Sequence, residues 1–309
     1  MAQAGTVWVD VRGDTSKFIK DVGDAAQTAG RKLSGALGAG AKTVLSDIGT
    51  AAGVSAIGIG AIGGAAVKAS TEFNKSMSGV SAVAGATAAE MSQLREAALQ
   101  AGAATVFSAS EAATAQGELA KAGVSVADIL GGALAGSLGL AAAGQLDLGQ
   151  AAEISAQALN IFGLAGDQTT RVADTLAAGA NKSAADVAQL GDALRQGGLL
   201  AAQTGLTLEE TTGVLSLFAD NALIGSDAGT SLKTMLQRLA PSTGPAADAM
   251  RELGLDFFDA QGAFVGIEEV AAQLQDRLGG LSDEQRQTAL TTIFGSDAVR
   301  GASILMEGG

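Results

Sequence analysis

Short stretches of helical spacing, each opened by Ser or Thr and cut off by Gly, follow one another through most of this chain, and that punctuation rules out one continuous rod. Thr87 and Glu90, Ser108 and Glu111, Ser125 and Asp128, Ser183 and Asp186, Thr207 and Glu210, and Ser282 and Gln285 each pair a hydroxyl with a carboxylate or amide three residues later. The hydroxyl accepts from a free N–H of the first helical turn and the acid or amide reaches back to the cap, so each pair predicts a helix start. Between 181 and 255, Ser183, Thr207 and Ser226 are the predicted starts, and Gly179, Gly205 and Gly225 the left-handed residues that close the preceding helices. Behind the starts the apolar spacing is helical: Leu148, Ala152, Leu159 and Phe162; Leu208, Leu215, Phe218 and Ala222; Ile267, Val270, Leu274 and Leu278. The fold class expected is all-α, built of many short helices with Gly caps.

Two departures from helix are expected. Val7, Val9 and Val11 alternate with Trp8 on the opposite face, which predicts a short N-terminal strand. Apolar runs on either side of Asp259-Ala-Gln-Gly262 predict a small β-hairpin over 255–265. Pro241 and Pro245 bracket Ser-Thr-Gly and mark a linker between helices.

The side chains leave little room for catalysis. The 309 residues contain no Cys, His or Tyr, which removes thiolate nucleophiles, Cys/His zinc sites, Ser-His-Asp triads and tyrosine acid–base chemistry. The acidic pairs Glu209/Glu210, Glu268/Glu269 and Asp283/Glu284 sit where helices begin, and neighbours on a helix diverge, so they read as helix-start electrostatics. Asp220, Asn221, Ser226 and Asp227 lack the order of a calcium loop. Gly58, Gly60 and Gly63 match the dinucleotide fingerprint without the strand and later acid that give it meaning. Neither a cofactor nor a metal is expected, and the chain is not expected to be an enzyme. Net charge is −13; residues 1–75 carry 8 basic against 6 acidic side chains, leaving 11 against 26 for the rest. A body so acidic repels phosphate, which argues against sequence-specific nucleic-acid binding.

From 48 to 67 no charge occurs, and Ile48, Val54, Ile57, Ile59, Ile62 and Val67 carry the apolar weight. The run is long enough to span a bilayer, but its glycines make insertion marginal; a buried or self-associating soluble helix fits as well. Gly49 with Gly53 and Gly60 with Gly64 are small residues four apart that let helix backbones approach closely. The chain thus divides into 1–47, a strand and a positively charged helix; 48–70, a Gly/Ala-rich apolar segment; and 71–309, a helical module.

The order of pieces over 181–255 closely resembles the core region of phage tail tape-measure proteins: NKSAADVAQLGDAL, then GLTLEETTGVLSLFADNALIGSDAGTSLKTMLQRLAP, then a helix ending in LGL. The resemblance runs from about Thr71 to Met306 and is strong again at Leu281-Ser-Asp-Glu-Gln285 and Ile293-Phe-Gly-Ser-Asp-Ala298. The strand, positive helix and Gly-rich run look like the beginnings of such proteins in actinobacterial siphophages. The resemblance implies a virion protein in the lumen of the tail tube, made in the host cytoplasm, that sets tail length during assembly. At infection it is expelled to help DNA cross the host envelope, with possible contact with the host membrane. Its implied partners are the tail tube protein, tail assembly chaperones, baseplate or tail-tip proteins and further copies of itself. Fully helical, 309 residues reach only about 460 Å, so the chain is expected to continue beyond 309 in the intact protein. The alternative is a membrane-active, oligomerising helical protein of prophage or secreted origin that uses 48–67 in a bilayer.

Overall fold

The computed structural model describes residues 56–241 and 243–308; the strand expected at 6–11 and the positive helix before 47 lie outside the described residues. The chain separates into a unit 1–68 and a unit 69–309, and the core described below belongs to the second. Helix α1 (Ala56–Val83) crosses that division. It is followed by α2 (Ala88–Ala104), α3 (Ala109–Lys121) and the single turn α4 (Val126–Asp128). A π-helical turn over Ile129–Ala133 leads into α5 (Leu134–Gly144), then α6 (Leu148–Phe162). A 3₁₀ turn precedes α7 (Thr169–Lys182), followed by α8 (Val187–Thr204), α9 (Leu208–Asp220) and α10 (Gly225–Gln237). The last four are α11 (Pro245–Leu253), α12 (Ile267–Leu278), α13 (Asp283–Phe294) and α14 (Val299–Gly308). No strand or sheet occurs among the described residues, so the fold is all-α.

The cap grammar accounts for most starts. Thr87, Ser108, Thr207 and Ser282 each form a complete capping box with Glu90, Glu111, Glu210 and Gln285. Thr207 N–H, for example, donates to Glu210 Oε2 at 2.7 Å while Glu210 N–H donates to Thr207 Oγ1 at 3.2 Å. Ser125 caps α4 through Asp128 N–H. Each such cap contributes about 1 kcal/mol to its helix. Gly205, at φ +98°, closes α8 in the left-handed region as expected.

Several expectations are corrected. Ser183 does not start a helix. Its hydroxyl donates back to Gly179 O at 2.9 Å, tying off α7, and Asp186 with Gln189 forms the capping box that opens α8. Ser226 lies inside the first turn of α10, whose N-cap is Ile224. Gly179 is not a terminator but an interior residue of α7; a Cβ there meets Thr212 Cγ2 at 2.6 Å, so glycine is required by the approach of α9. Gly225 is left-handed as expected, at φ +58°, but it opens α10 rather than closing α9, and the turn after α9 falls on Ala222 at φ +59°. That turn leaves Ala222 exposed and sends Leu223 into the core in its place, with Leu223 N–H donating to Phe218 O at 2.9 Å.

The hairpin reduces to one antiparallel bridge between Phe258 and Phe264. Asp259 Oδ1 accepts the N–H groups of both Gln261 and Ala263, and Gly266 already caps α12, so no residues remain to extend a ladder.

One continuous apolar core runs through the unit. Helix α3 packs on α2 and α6, α5 on α6 and α7, α11 on α13, and α14 on α9, α10 and α12. The tightest crossing is that of α8 with α10. A Cβ at Gly197 sits 2.5 Å from Gly229 O, and one at Gly229 sits 2.2 Å from Ala193 O, so backbone lies on backbone there. Phe218, Phe257 and Phe294 fill the interior, the last two stacked with centroids 6.4 Å apart.

Candidate functional site

Among the predicted membrane and packing residues, Ile48, Gly49, Gly53 and Val54 lie outside the described residues. Ile57, Ile59, Gly60, Ile62, Gly64 and Val67 fall in the N-terminal part of α1. Among the described residues, the stretch long and apolar enough by composition to cross a membrane is a different one, Val126–Gly144, with mean hydropathy 1.6. Gly132, at φ +152°, breaks it in two, and Ile129, Ala133, Leu134 and Leu140 are spent in the core. That placement is what a core helix of a folded module requires.

The acidic pairs diverge within each helix as expected, yet tertiary packing reunites part of them. Glu209 turns toward α7, where Arg171 Nε and Nη2 donate to its two oxygens at 2.6 and 2.8 Å. These bonds hold the Glu209 carboxyl below the ordinary glutamate range and raise Arg171 in turn. Both side chains are nearly half exposed, so solvent screens the pair and it adds little to stability. Glu210 serves the α9 capping box, while Glu269 accepts from Gln273 Nε2. Glu268 faces α9 without a hydrogen-bond or ion-pair partner among the described residues.

Glu209, Glu210 and Glu268 thereby rim a groove of about 680 Å³ between α9, α12 and α14. Its floor is carbon: Val214, Leu217, Ile267, Ala271 and Leu305. Gly213 stands exposed on the α9 ridge, with nothing within 4 Å of a Cβ built there. Glycine in a helix interior costs about 1 kcal/mol relative to alanine, and here no neighbour in the fold requires it. On the other side of the same ridge, a cleft of about 440 Å³ runs between α7 and α9 past Thr175, Gly179, Lys182 and Thr212. Sequence reading missed this surface because Glu209 and Glu210 stand 59 and 58 residues before Glu268, and no local spacing links them.

The calcium-like cluster has structural duties. Asp220 Oδ1 accepts Ala184 N–H at 2.9 Å, and Arg300 Nη2 donates to Asn221 O and Ala222 O, each at 2.9 Å. Among the described residues no three acidic side chains come close enough to hold a metal ion. The apolar floor lies largely buried beneath the acidic rim, with Val214, Ile267 and Leu305 only 4–6% exposed.

Residues 95–295, from within α2 to just after α13, match the family model described as phage-related minor tail protein. The chain belongs to the phage-related minor tail protein family. It is 36% identical over 245 residues to the tape measure protein of Pneumococcus phage Dp-1, covering 79% of this chain and 21% of that one. It is 33% identical over 265 residues to the probable tape measure protein of Escherichia phage P2, covering 82% and 32%. The chain thus spans about a fifth and about a third of those relatives' lengths. No solved structure matches it. As a member of the minor tail protein family it is a structural component of the phage tail, and the resemblance to tape-measure proteins read from its sequence is matched by both relatives. Helices α9 and α12 of the groove fall inside the matched residues, and α14 outside.

Proposed function

We propose that this chain is the N-terminal and core part of a tape-measure protein, and that 69–309 is its folded module rather than its measuring length. The observation that carries this reading is the identity to the Dp-1 tape measure protein over 245 residues that are themselves cut into short helices. Within residues 95–295, matched by the family model, the longest helix, α8, has 18 residues and is about 27 Å long, whereas a ruler needs length that adds residue by residue. On this reading the protein sets tail length during assembly from inside the tail tube. It contacts the tail tube protein, assembly chaperones, baseplate or tail-tip proteins and further copies of itself. At infection it is ejected and assists DNA through the host envelope, and the charge-free run 48–67 is the segment suited to the host membrane.

In-frame deletions in the phage genome test it. Removing residues outside 69–309 is expected to shorten the tail in proportion to the residues lost, while removing α8–α10 is expected to abolish tails. Tails of unchanged length in every viable deletion would sink the ruler. The membrane step is tested apart: liposome leakage by the intact chain that disappears on deleting 48–67 supports it, and no leakage refutes it.

A further inference from the structure

We infer that residues 109–237 are a tandem duplication: one three-helix unit of 60 residues, present twice and begun a third time. The inference goes beyond the length-setting reading and does not depend on it. Helices α3, α4–α5 and α6 form the first copy, and α7, α8 and α9 the second; α10 opens the third. The turns set the register. Gln145 and Gly205, 60 apart, both close a second helix in the left-handed region, and Leu146 and Leu206 then donate to Ala141 O and Ala201 O at 3.0 and 2.9 Å. Asp147 and Thr207 follow as the N-caps of α6 and α9. Near the ends of those helices Asn160 and Asp220 each bond the turn after the first helix of their copy, at Ala122 O and Ala184 N–H.

In this register the buried faces agree. Of the eight buried residues of α6, all but Ala156 have a buried counterpart 60 on in α9, from Leu148 and Leu208 to Leu159 and Ala219. Ala112, Val172 and Leu232 hold one buried position of three successive first helices, and Gln116, Leu176 and Leu236 another. Packing repeats as well: α3 lies on α6 as α7 lies on α9, and α5 on α7 as α8 on α10. A Cβ at Gly136 meets the Thr169 carbonyl carbon at 2.7 Å, and one at Gly229 meets Gln196 Cβ at 2.8 Å, the same two positions in each copy. Amphipathic helices share a period, but unrelated ones do not share turns, caps and crossing points at one fixed spacing. Helix α14 takes the second place in the third copy. Gly191 and Gly198 seat α8 on Ile154 and Ile161 of α6, and Gly301 and Gly308, also seven apart, seat α14 on Phe218 and Leu217 of α9.

The copies differ by one residue. From Val126 to Gly144 the second helix of the first copy has 19 residues against 18 in α8, and its cap Ser125 stands 61 residues before the cap Asp186. A π turn, closed from i to i+5, holds one residue more than an α turn, and Ile129–Ala133 is such a turn, with Gly132 at φ +152°. Units that contact only their neighbours can be added or removed whole with their packing kept.

The test is deletion in the intact chain, read by far-UV circular dichroism on heating. Deleting Gly132 gives the second helix the length of α8 between equivalent caps, so Tm is expected to stay within about 5 °C of the wild type. Deleting Asp192 rotates the rest of α8 by about 100° and is expected to abolish the cooperative transition. Excising 139–198 joins Leu138 to Leu199 in register and is expected to leave a cooperative helical protein, whereas excising 139–200 turns the two halves of the joined helix by about 200° and is expected not to. A Gly132 deletion as damaging as that of Asp192, or a 139–198 excision no more cooperative than 139–200, overturns the inference.

Discussion

Three glycines separate two physical roles that look identical in sequence. At Gly197 and Gly229 an added methyl runs into backbone, which cannot swing aside, so Gly197→Ala and Gly229→Ala are each expected to destabilise by about 1–3 kcal/mol. At Gly213 the same change meets open space and removes the entropic penalty of glycine in a helix, so Gly213→Ala is expected to stabilise by about 0.5–1 kcal/mol. Urea denaturation of the three variants checks both signs. Glu209 gives a pH signature. Its carboxyl is held below the ordinary range by Arg171, so the stabilisation is present above the unfolded-state value of about 4.3 and is lost as pH falls through the depressed folded value. The difference in melting temperature between the wild type and Glu209→Gln is therefore expected at pH 7 and to close as the carboxylate is protonated in acid.

Helix ends were the most legible elements, because a cap is a local contract between a side chain and an N–H three residues away. Thr87, Ser108, Thr207 and Ser282 kept it. The start at Ser183 failed because a better acceptor, Asp186, stood three residues on with Gln189 to complete the box. The expected outcome is that Asp186→Ala costs about 1 kcal/mol and Ser183→Ala clearly less, measured by chemical denaturation. The end of α9 was not legible, since what fixes it comes from 78 residues away. Arg300 grips the carbonyls of Asn221 and Ala222, and a cation there also suits the negative end of the helix dipole. Arg300→Ala is expected to cost about 1–3 kcal/mol and to raise hydrogen exchange of the Leu223 amide. The hairpin stays at a single bridge because the Asp259 side chain captures the Ala263 amide that would return the next pairing bond.

At the scale of the molecule, helical class and phage-tail kinship were readable from pattern and order, whereas the groove was not. It exists only where residues 209, 268 and 305 are brought together by packing. Because one core draws on α1 through α14, the unit 69–309 is expected to unfold in a single cooperative transition, with far-UV circular dichroism and hydrogen exchange of core amides giving coincident midpoints. Neither tryptophan nor tyrosine occurs after Trp8, so intrinsic fluorescence cannot follow it. The crossing of α8 with α10 also sets how the unit yields to tension. At Gly197 and Gly229 no side chain stands between the two backbones, so that point offers less resistance to sliding than to separation. A pull that lifts the helices apart must break the whole dry contact at once. Force spectroscopy along and across the two helices is expected to find the lower resistance along them.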